Sequence, residues 1–279
     1  MESQIRIGIV ARLFPTNYRP ALQEIDFVAK NHFKSIQFPG HEGGLKEEFL
    51  GSKYAELTKQ MSAKDITPVM EIVARVNVDG KTKSNTSPRE LVMENIPAIK
   101  ELKCERVHLH IVPQDITDSN KILELEKTFT DDLREIVKVS KDAGFIFGLE
   151  HNEPELMMFA TPEKCKKALA EVEGLGFIWD FNHTPNEYLA DYISLAKHMS
   201  MLHVSDTPLP ETNYHLPIGM GNINFKEYFK KIIASGYKPS PVILEVGGLP
   251  KSGGYGRDTD IALIESLQKL THEFSLGLN

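Results

Sequence analysis

Residues 176–184 of the chain read GFIWDFNHT, an apolar run that ends in a carboxylate, an amide and an imidazole. Its aromatic and β-branched residues predict a short buried strand over residues 177–180. Taken alone, Asp180 is typical of a cap on the following helix, and His183 of a hydrogen-bonded residue at a rim. Apolar runs that meet an ionisable residue at their end recur along the chain, and this recurrence indicates the fold.

Eight β-rich runs alternate with eight stretches of helical periodicity. The predicted strands cover residues 5–14, 35–39, 67–73, 106–112, 145–150, 177–180, 201–204 and 241–246. The predicted helices cover residues 20–31, 47–63, 88–100, 121–143, 161–172, 186–198, 225–235 and 258–274. Eight units in 279 residues is about 35 residues each, as a (β/α)8 barrel requires. The sequence therefore predicts an α/β fold, a single-domain TIM barrel over residues 1–279.

A doubly wound open sheet is the competing architecture. It usually has fewer strands, and its first turn carries a GxGxxG phosphate loop. Residues 11–15 of this chain, ARLFP, have no such loop, so the closed barrel is preferred.

Charge and apolar content narrow the classes of function. The net charge is −7 without a basic tail, which argues against a nucleic-acid partner. No apolar run is long enough for a membrane span, and the first ten residues lack a signal-peptide pattern. Cys104 and Cys165 belong to no metal or redox motif, and each is predicted to be inert. We expect a cytoplasmic protein that acts on a small molecule, and we consider a homo-oligomer as a further partner state.

The last four predicted strands each carry an ionisable residue at the carboxyl end. These residues are Glu150, Asp180, His203 and Glu245. In a barrel the carboxyl ends of the strands meet at one mouth, where catalysis takes place. Three carboxylates that share a mouth repel one another unless a cation neutralises them. The pattern predicts one divalent metal ion, for which Mn²⁺, Mg²⁺, Co²⁺ and Zn²⁺ all suit such ligands.

Further polar residues lie near these four in the sequence. They are His41 and Glu42 after the second strand, Glu71 on the third, His108 and His110 on the fourth, and His183, Asp206 and His215 near the last ones. Gly219 and Gly221 predict a tight loop close to a ligand. Residues 157–159, MMF, are candidates for a lid, with local core or a subunit contact as the alternative.

The combined pattern LE, D-x-x-H, H-x-x-D, H-x-P-x-G-x-G-x-I-x-F and LE over residues 149–245 resembles the xylose isomerase-like TIM-barrel superfamily. That superfamily holds sugar isomerases and epimerases such as D-tagatose 3-epimerase and inosose isomerase, and also endonuclease IV. The resemblance implies that the four strand-end residues bind the metal. It also implies that Glu150 and Glu245 act as a pair of bases and that His183 and His215 contact substrate or metal.

Two further residues are candidates for substrate binding. His110 lies near the tip of the fourth strand. Arg257 ends the loop 251–257, at a place where barrels often bind an anionic group; a flexible surface loop is the alternative there.

The endonuclease branch binds three zinc ions, and this chain departs from its pattern at two places. Glu71 stands where a histidine is expected, and Asn213-Tyr214 stands where the family has Asp-Arg. We therefore expect a metal-dependent isomerase or epimerase of a sugar, an inositol derivative or a small hydroxy-keto acid, working by proton transfer through a metal-stabilised enediolate. An endonuclease IV-like phosphodiesterase and a non-catalytic sugar-binding barrel are the alternatives.

Overall fold

The computed structural model describes residues 5–13, 18–247 and 259–273. Within this range eight parallel strands pair in sequence order, and β8 pairs back to β1 to close a barrel. The strands are β1 Arg6–Val10, β2 Ser35–Pro39, β3 Thr67–Val76, β4 Arg106–Pro113, β5 Ile146–Glu150, β6 Gly176–Asp180, β7 Met199–Val204 and β8 Pro241–Leu244. The predicted (β/α)8 barrel is confirmed. That residues 1–279 form one domain stays a prediction.

Helices follow the strands and cover the outside of the barrel. They are α1 Ala21–Lys30, α2 Glu47–Leu50, α3 Tyr54–Ala63, α4 Pro88–Leu102, α5 Ser119–Ala143, α6 Pro162–Glu171, α7 Leu189–Ile193, α8 Phe225–Ala234 and α9 Thr259–Glu273. None of the described helices is long and apolar enough to cross a membrane.

Two of the predicted helices are wrong in detail. The stretch 47–63 is split into α2 and α3 because Gly51 adopts a left-handed conformation, with φ 67°, which ends a helix at low cost only for glycine. The stretch 186–198 is a series of short 3₁₀ and α segments. There the Ser194 hydroxyl donates to the Asp191 carbonyl oxygen, and such a bond competes with a regular helix.

The barrel has two apolar layers. Most buried apolar residues lie between the strands and the helices. A small dry layer fills the barrel interior and consists of Val69, Ile178, Met201 and Ile243, with Val10 packed against them. Ile178 and Met201 lie two residues before Asp180 and His203 on their strands, so alternation places these polar side chains directly above the dry layer.

β3 and β4 continue past the other strands as a two-stranded ribbon. β5 pairs with β4 only up to His110, whereas β3 and β4 pair up to Val76 and Pro113. We call this extension, residues 72–76 and 111–113, the β3–β4 ribbon. Its outward side chains are buried in the main core, and its other face borders the mouth.

Candidate metal centre

Four side chains from four consecutive strands converge at the carboxyl end of the barrel. Glu150 and Asp180 are the last residues of β5 and β6, His203 is in β7, and Glu245 follows β8 directly. Asp180 pairs with His203 across the sheet, and the Glu245 amide donates to the Val204 carbonyl oxygen at 3.0 Å. One possible ligand atom from each residue of this set lies within 4.8 Å of the others. We call the set the carboxylate ring.

The ring is nearly closed to water. Side-chain exposure is 1% for Glu150 and 0% for Asp180; for Glu245 it is 15%. His203 Nδ1 lies 3.1 Å from Glu150 Oε1 and 3.2 Å from Glu245 Oε1, so the imidazole sits between the two glutamates.

Two carboxylate oxygens of the ring are buried without a hydrogen-bond partner among the described residues. They are Oε2 of Glu150 and Oδ2 of Asp180. A buried charged oxygen without a partner is costly. A divalent cation would satisfy both oxygens and neutralise the repulsion between the three carboxylates. The residues present therefore fit a metal ion with mostly oxygen ligands and one nitrogen.

The pKa values express the same electrostatic balance. Burial opposes the ionisation of the two glutamates, but the charge of His203 outweighs it. The pKa of Glu245 falls to about 2 and that of Glu150 falls well below its usual value. Burial alone would lower the pKa of His203, yet the charges of the two glutamates raise it well above its usual value. Burial raises the pKa of Asp180, which the charge of His183 only partly offsets.

His183 lies beside Asp180, in the 3₁₀ turn Phe181–His183. Its Nδ1 donates to the His151 carbonyl oxygen at 3.1 Å, which leaves Nε2 facing Asp180 Oδ2 at 3.3 Å. The Asp180 Oδ1 atom accepts from the Asn182 amide at 2.7 Å and holds this turn. The structure thus brings His183 to the ring, with one nitrogen facing a ring carboxylate.

His215 reaches the mouth from the loop after β7. Its Nδ1 donates to the Glu245 carbonyl oxygen at 2.8 Å, and its Nε2 lies 3.0 Å from Asn213 Oδ1. The Asn182 side chain accepts from the backbone amides of Tyr214 and His215. Sequence reasoning assigned no role to Asn182, although it lies inside the motif D-x-x-H.

The other half of the mouth carries His108 and His110 from β4 and Glu71 from β3. His108 Nε2 lies 3.1 Å from Glu150 Oε2, but the two atoms do not have the geometry of a hydrogen bond. His110 Nδ1 lies 3.9 Å from Glu71 Oε1 and 3.8 Å from Glu150 Oε2. Burial would lower the pKa of His110, but Glu150 and Glu71 raise it to about 9.

Three buried residues that support the mouth were missed in the sequence. Gln37 on β2 accepts from His203 Nε2 at 2.9 Å. Asn152 accepts from His110 Nε2 at 2.9 Å. His151 contacts the Asp180 carbonyl oxygen through its Nε2 at 3.1 Å, and burial lowers its pKa to about 3. Gln37 could have been found, because alternation within SIQFP places an amide on the inward face of a strand.

The predicted lid over residues 157–159 is wrong. Met158 and Phe159 are buried in the core between strands and helices. The Phe159 amide donates to Glu126 on α5 at 2.6 Å, and the Met158 carbonyl oxygen accepts from Asn152. The apolar run is therefore local core, the alternative that the sequence left open.

Other predicted residues lie away from the ring. The Asp206 carboxylate accepts from the backbone amides of Thr207, Gly219 and Ile223, so it organises its own loop. A Cβ atom at Gly221 would lie 2.4 Å from that carboxylate, which means that the glycine makes room for Asp206. His41 and Glu42 are exposed. Arg257 lies outside the described residues.

Comparisons with known proteins agree with this architecture. An uncharacterized protein of Methanocaldococcus jannaschii is 30% identical over 207 residues, which cover 65% of this chain and 69% of that protein. The structure of an L-ribulose 3-epimerase superposes with a TM-score of 0.76 at 13% identity, over 98% of this chain and 95% of that chain. An AP endonuclease of family 2 from Brucella melitensis gives a TM-score of 0.63 at 13% identity, over 92% of this chain and 98% of that chain.

These two solved structures share the fold at low identity, so they do not distinguish sugar chemistry from DNA cleavage. The comparison of the sequence with family models identifies the family. A model described as xylose isomerase-like TIM barrel matches residues 25–266, a range that includes every residue of the carboxylate ring. The chain therefore belongs to the xylose isomerase-like TIM-barrel family.

Proposed function

We propose that this protein is an isomerase or epimerase of a sugar, an inositol derivative or a small hydroxy-keto acid, and that it requires one divalent metal ion. The observation that carries the proposal is the carboxylate ring, in which Glu150, Asp180, His203 and Glu245 converge within 4.8 Å. Mn²⁺, Mg²⁺, Co²⁺ and Zn²⁺ all remain suitable for these donors.

The reaction needs the transfer of a proton at a carbon beside a carbonyl group. When bound, a divalent ion would polarise that carbonyl and stabilise the negative charge that develops on its oxygen. Glu150 reaches the mouth from β5 and Glu245 from β8, on either side of Asp180 and His203. We assign the two glutamates as the bases, one removing the proton and the other returning one from the opposite side.

The histidines around the ring would orient the substrate. His110 and His183 each have one ring nitrogen held by an amide or a carbonyl oxygen and the other facing the ring. Both nitrogens of His215 have partners, so it would contact substrate only by exchanging Asn213 for a substrate oxygen. Such fixed groups reduce the orientational freedom of a bound substrate, which is a large part of catalysis by alignment. Arg257 remains a proposed contact for an anionic substrate group.

A deuterium-exchange screen tests the proposal. Ketoses, inososes and small hydroxy-keto acids are incubated in D₂O with the protein and Mn²⁺ or Co²⁺, and NMR follows incorporation at the carbon beside the carbonyl. Wild type is expected to catalyse exchange with at least one of them, and a chelator is expected to stop it. Glu150→Gln and Glu245→Gln are each expected to lower exchange by roughly 10²–10⁴-fold.

Glu105→Gln is the matched control, since Glu105 lies beside the amino end of β4 and contacts Arg106 at 3.5 Å. It is expected to keep wild-type exchange. Unchanged exchange in both ring variants would refute the assignment of the bases. Exchange that persists after metal removal would refute the metal requirement. If wild type binds a sugar but catalyses no exchange of its protons, the protein is a non-catalytic sugar-binding barrel.

A phosphodiesterase acting on DNA is the second candidate, favoured by one observation. His110, Glu150 and His183 form a further donor group near the ring, and so do Asp180, His183 and His215. Against it stand Glu71, Asn213 and the net charge of −7. Cleavage of a duplex with one abasic site, together with three bound ions per chain, would establish this candidate instead.

The remaining expectations accompany this proposal. The partner is a small molecule and not nucleic acid. A cytoplasmic location and a homo-oligomer stay predictions, which fractionation and light scattering would check.

A further inference from the structure

We propose that Gln37 is a positioning residue that sets the tautomer of His203 and thereby directs Nδ1 of that imidazole toward the metal. The inference rests on the proposed metal requirement. Gln37 is the middle residue of β2 and is completely buried. Its side chain crosses the barrel interior from β2 to Glu71 on β3, His203 on β7 and Glu245 directly after β8.

The orientation of the Gln37 amide follows from its neighbours. Nε2 lies 2.9 Å from Glu71 Oε2 and 3.3 Å from Glu245 Oε1. Carboxylate oxygens accept hydrogen bonds, so the group that faces them is the NH₂. The reversed amide would place a carbonyl oxygen against two carboxylates, and burial would make that contact unfavourable.

This orientation fixes the proton on His203. The Oε1 atom of Gln37 lies 2.9 Å from His203 Nε2, and an amide oxygen can only accept. An imidazole that binds a metal ion through Nδ1 is neutral, and its one proton is then on Nε2, where Gln37 accepts it. Nδ1 is the atom that faces Glu150 and Glu245 at 3.1 and 3.2 Å.

The same amide also orients a second ring residue. By donating to Glu245 Oε1 it holds that carboxylate beside His203, so one buried side chain fixes two of the four ring members. The pattern recurs at His110, where the Asn152 Oδ1 atom accepts from Nε2 at 2.9 Å and leaves Nδ1 facing the ring. Groups that hold metal-binding histidines in this way typically contribute 10–100-fold to metal affinity.

The test uses two variants that separate the two ends of the amide. Gln37→Met keeps the length of the side chain but removes both the acceptor and the donor. Gln37→Glu keeps an acceptor for His203 Nε2 and removes the donor to the glutamates. Ser35→Ala is the matched control, because Ser35 lies on the same face of β2 and donates to the Thr67 carbonyl oxygen at 2.8 Å, away from the ring.

Two readouts are independent of turnover. Co²⁺ dissociation constants are measured by competition with a chelator, with visible absorption reporting the ligand geometry. NMR of ¹⁵N-histidine-labelled, Zn²⁺-loaded protein shows which nitrogen of His203 carries the proton. Gln37→Met is expected to weaken Co²⁺ binding by roughly 10–100-fold and to change the absorption spectrum. Gln37→Glu is expected to keep the proton on Nε2, and Ser35→Ala is expected to match wild type.

Several outcomes overturn the inference. A proton on Nδ1 of His203 in the Zn²⁺-loaded wild type overturns it without any variant, even if Gln37→Met fails to fold. The inference also fails if Gln37→Met binds Co²⁺ with the same affinity as wild type. If wild type binds metal and catalyses exchange under either result, only the role of Gln37 fails. If wild type binds none of the divalent ions, the metal requirement of the proposed function fails with it.

Discussion

The two halves of the barrel mouth both carry inward polar side chains but connect them differently. On β5–β8, Glu150 Oε2 and Asp180 Oδ2 are buried and lack hydrogen-bond partners among the described residues. On the other half, Gln37 bonds to Glu71 and to members of the ring, and His110 bonds to Asn152. The β5–β8 half leaves carboxylate oxygens available to bind a cation. The other half uses its polar groups to hold these carboxylates and His203 in place.

The difference shows that position alone does not define a ligand. Glu71 and Glu150 are both inward carboxylates on neighbouring parts of the barrel wall, yet only Glu150 has a buried oxygen without a hydrogen bond. The prediction that separates ligands from supporting residues is therefore a difference in metal affinity. The experiments below test it, in order of decreasing effect.

Asp180→Asn is expected to have the largest effect. Structural zinc sites with four ligands have a binding free energy of roughly 10–16 kcal/mol, which is about 2.5–4 kcal/mol for each ligand. On the same scale, the loss of one ligand is expected to weaken Mn²⁺ binding by on the order of 10²–10³-fold. Without metal, the variant is expected to melt at or above the wild-type temperature, because one of three mutually repelling carboxylates is gone. Thermal unfolding with and without Mn²⁺ measures both effects.

Asp191→Asn serves as the control, since Asp191 is exposed on α7. Its melting temperature is expected to rise on addition of Mn²⁺ as much as that of wild type. If Mn²⁺ raises the melting temperature of Asp180→Asn as much as that of wild type, Asp180 is not a metal ligand.

Glu71→Gln is expected to have an intermediate effect. The variant keeps the shape of the side chain but loses the charge that accepts from Gln37 Nε2 and faces His110. We expect Mn²⁺ affinity to fall by roughly 10–100-fold, the range for a group that holds a ligand. Isothermal titration calorimetry measures it. A loss as large as that of Asp180→Asn would make Glu71 a ligand and would break the distinction between the two halves.

Ile178→Val is expected to have a smaller effect, confined to stability. The Cδ1 methyl of Ile178 fills the space beside Gly148, where an added Cβ would lie 2.3 Å from it. Its removal is expected to cost about 0.5–1.5 kcal/mol in the free energy of unfolding, measured with urea. Mn²⁺ affinity is expected to stay constant, and a parallel loss of affinity would show that the dry layer also holds the ring.

The cysteines are expected to show no effect. Cys104 and Cys165 are buried, and burial raises the pKa of both thiols. A thiol-reactive dye is therefore expected to label neither residue in the folded protein at mildly alkaline pH, and to label both after denaturation. Rapid labelling of the folded protein would contradict their assignment as inert. Mass spectrometry gives the count.

The ring was predictable from sequence because each member is local to its strand. An apolar run, a period of two and a polar last residue place Asp180 and His203 at one mouth once the strands close. The supporting residues depend on contacts across the barrel, between Gln37 and His203 or between His110 and Asn152, which no local pattern encodes. The break in the helix at Gly51 and the burial of Met158 likewise depend on packing with neighbours. The roles of the ring residues stay predictions until metal and exchange are measured.

The β3–β4 ribbon places side chains at regular distances from the carboxylate ring. Successive side chains on one face of a strand stand roughly 7 Å apart, so Glu71, Val73 and Arg75 lie at increasing heights along one wall. Backbone pairing and the buried outer face keep those heights constant. A molecule that extended from the ring along this wall would pass a carboxylate, then an apolar side chain, then the exposed guanidinium of Arg75. We expect two substrates that share the reacting carbon but differ in length to bind with different affinities, because their far ends would meet different side chains.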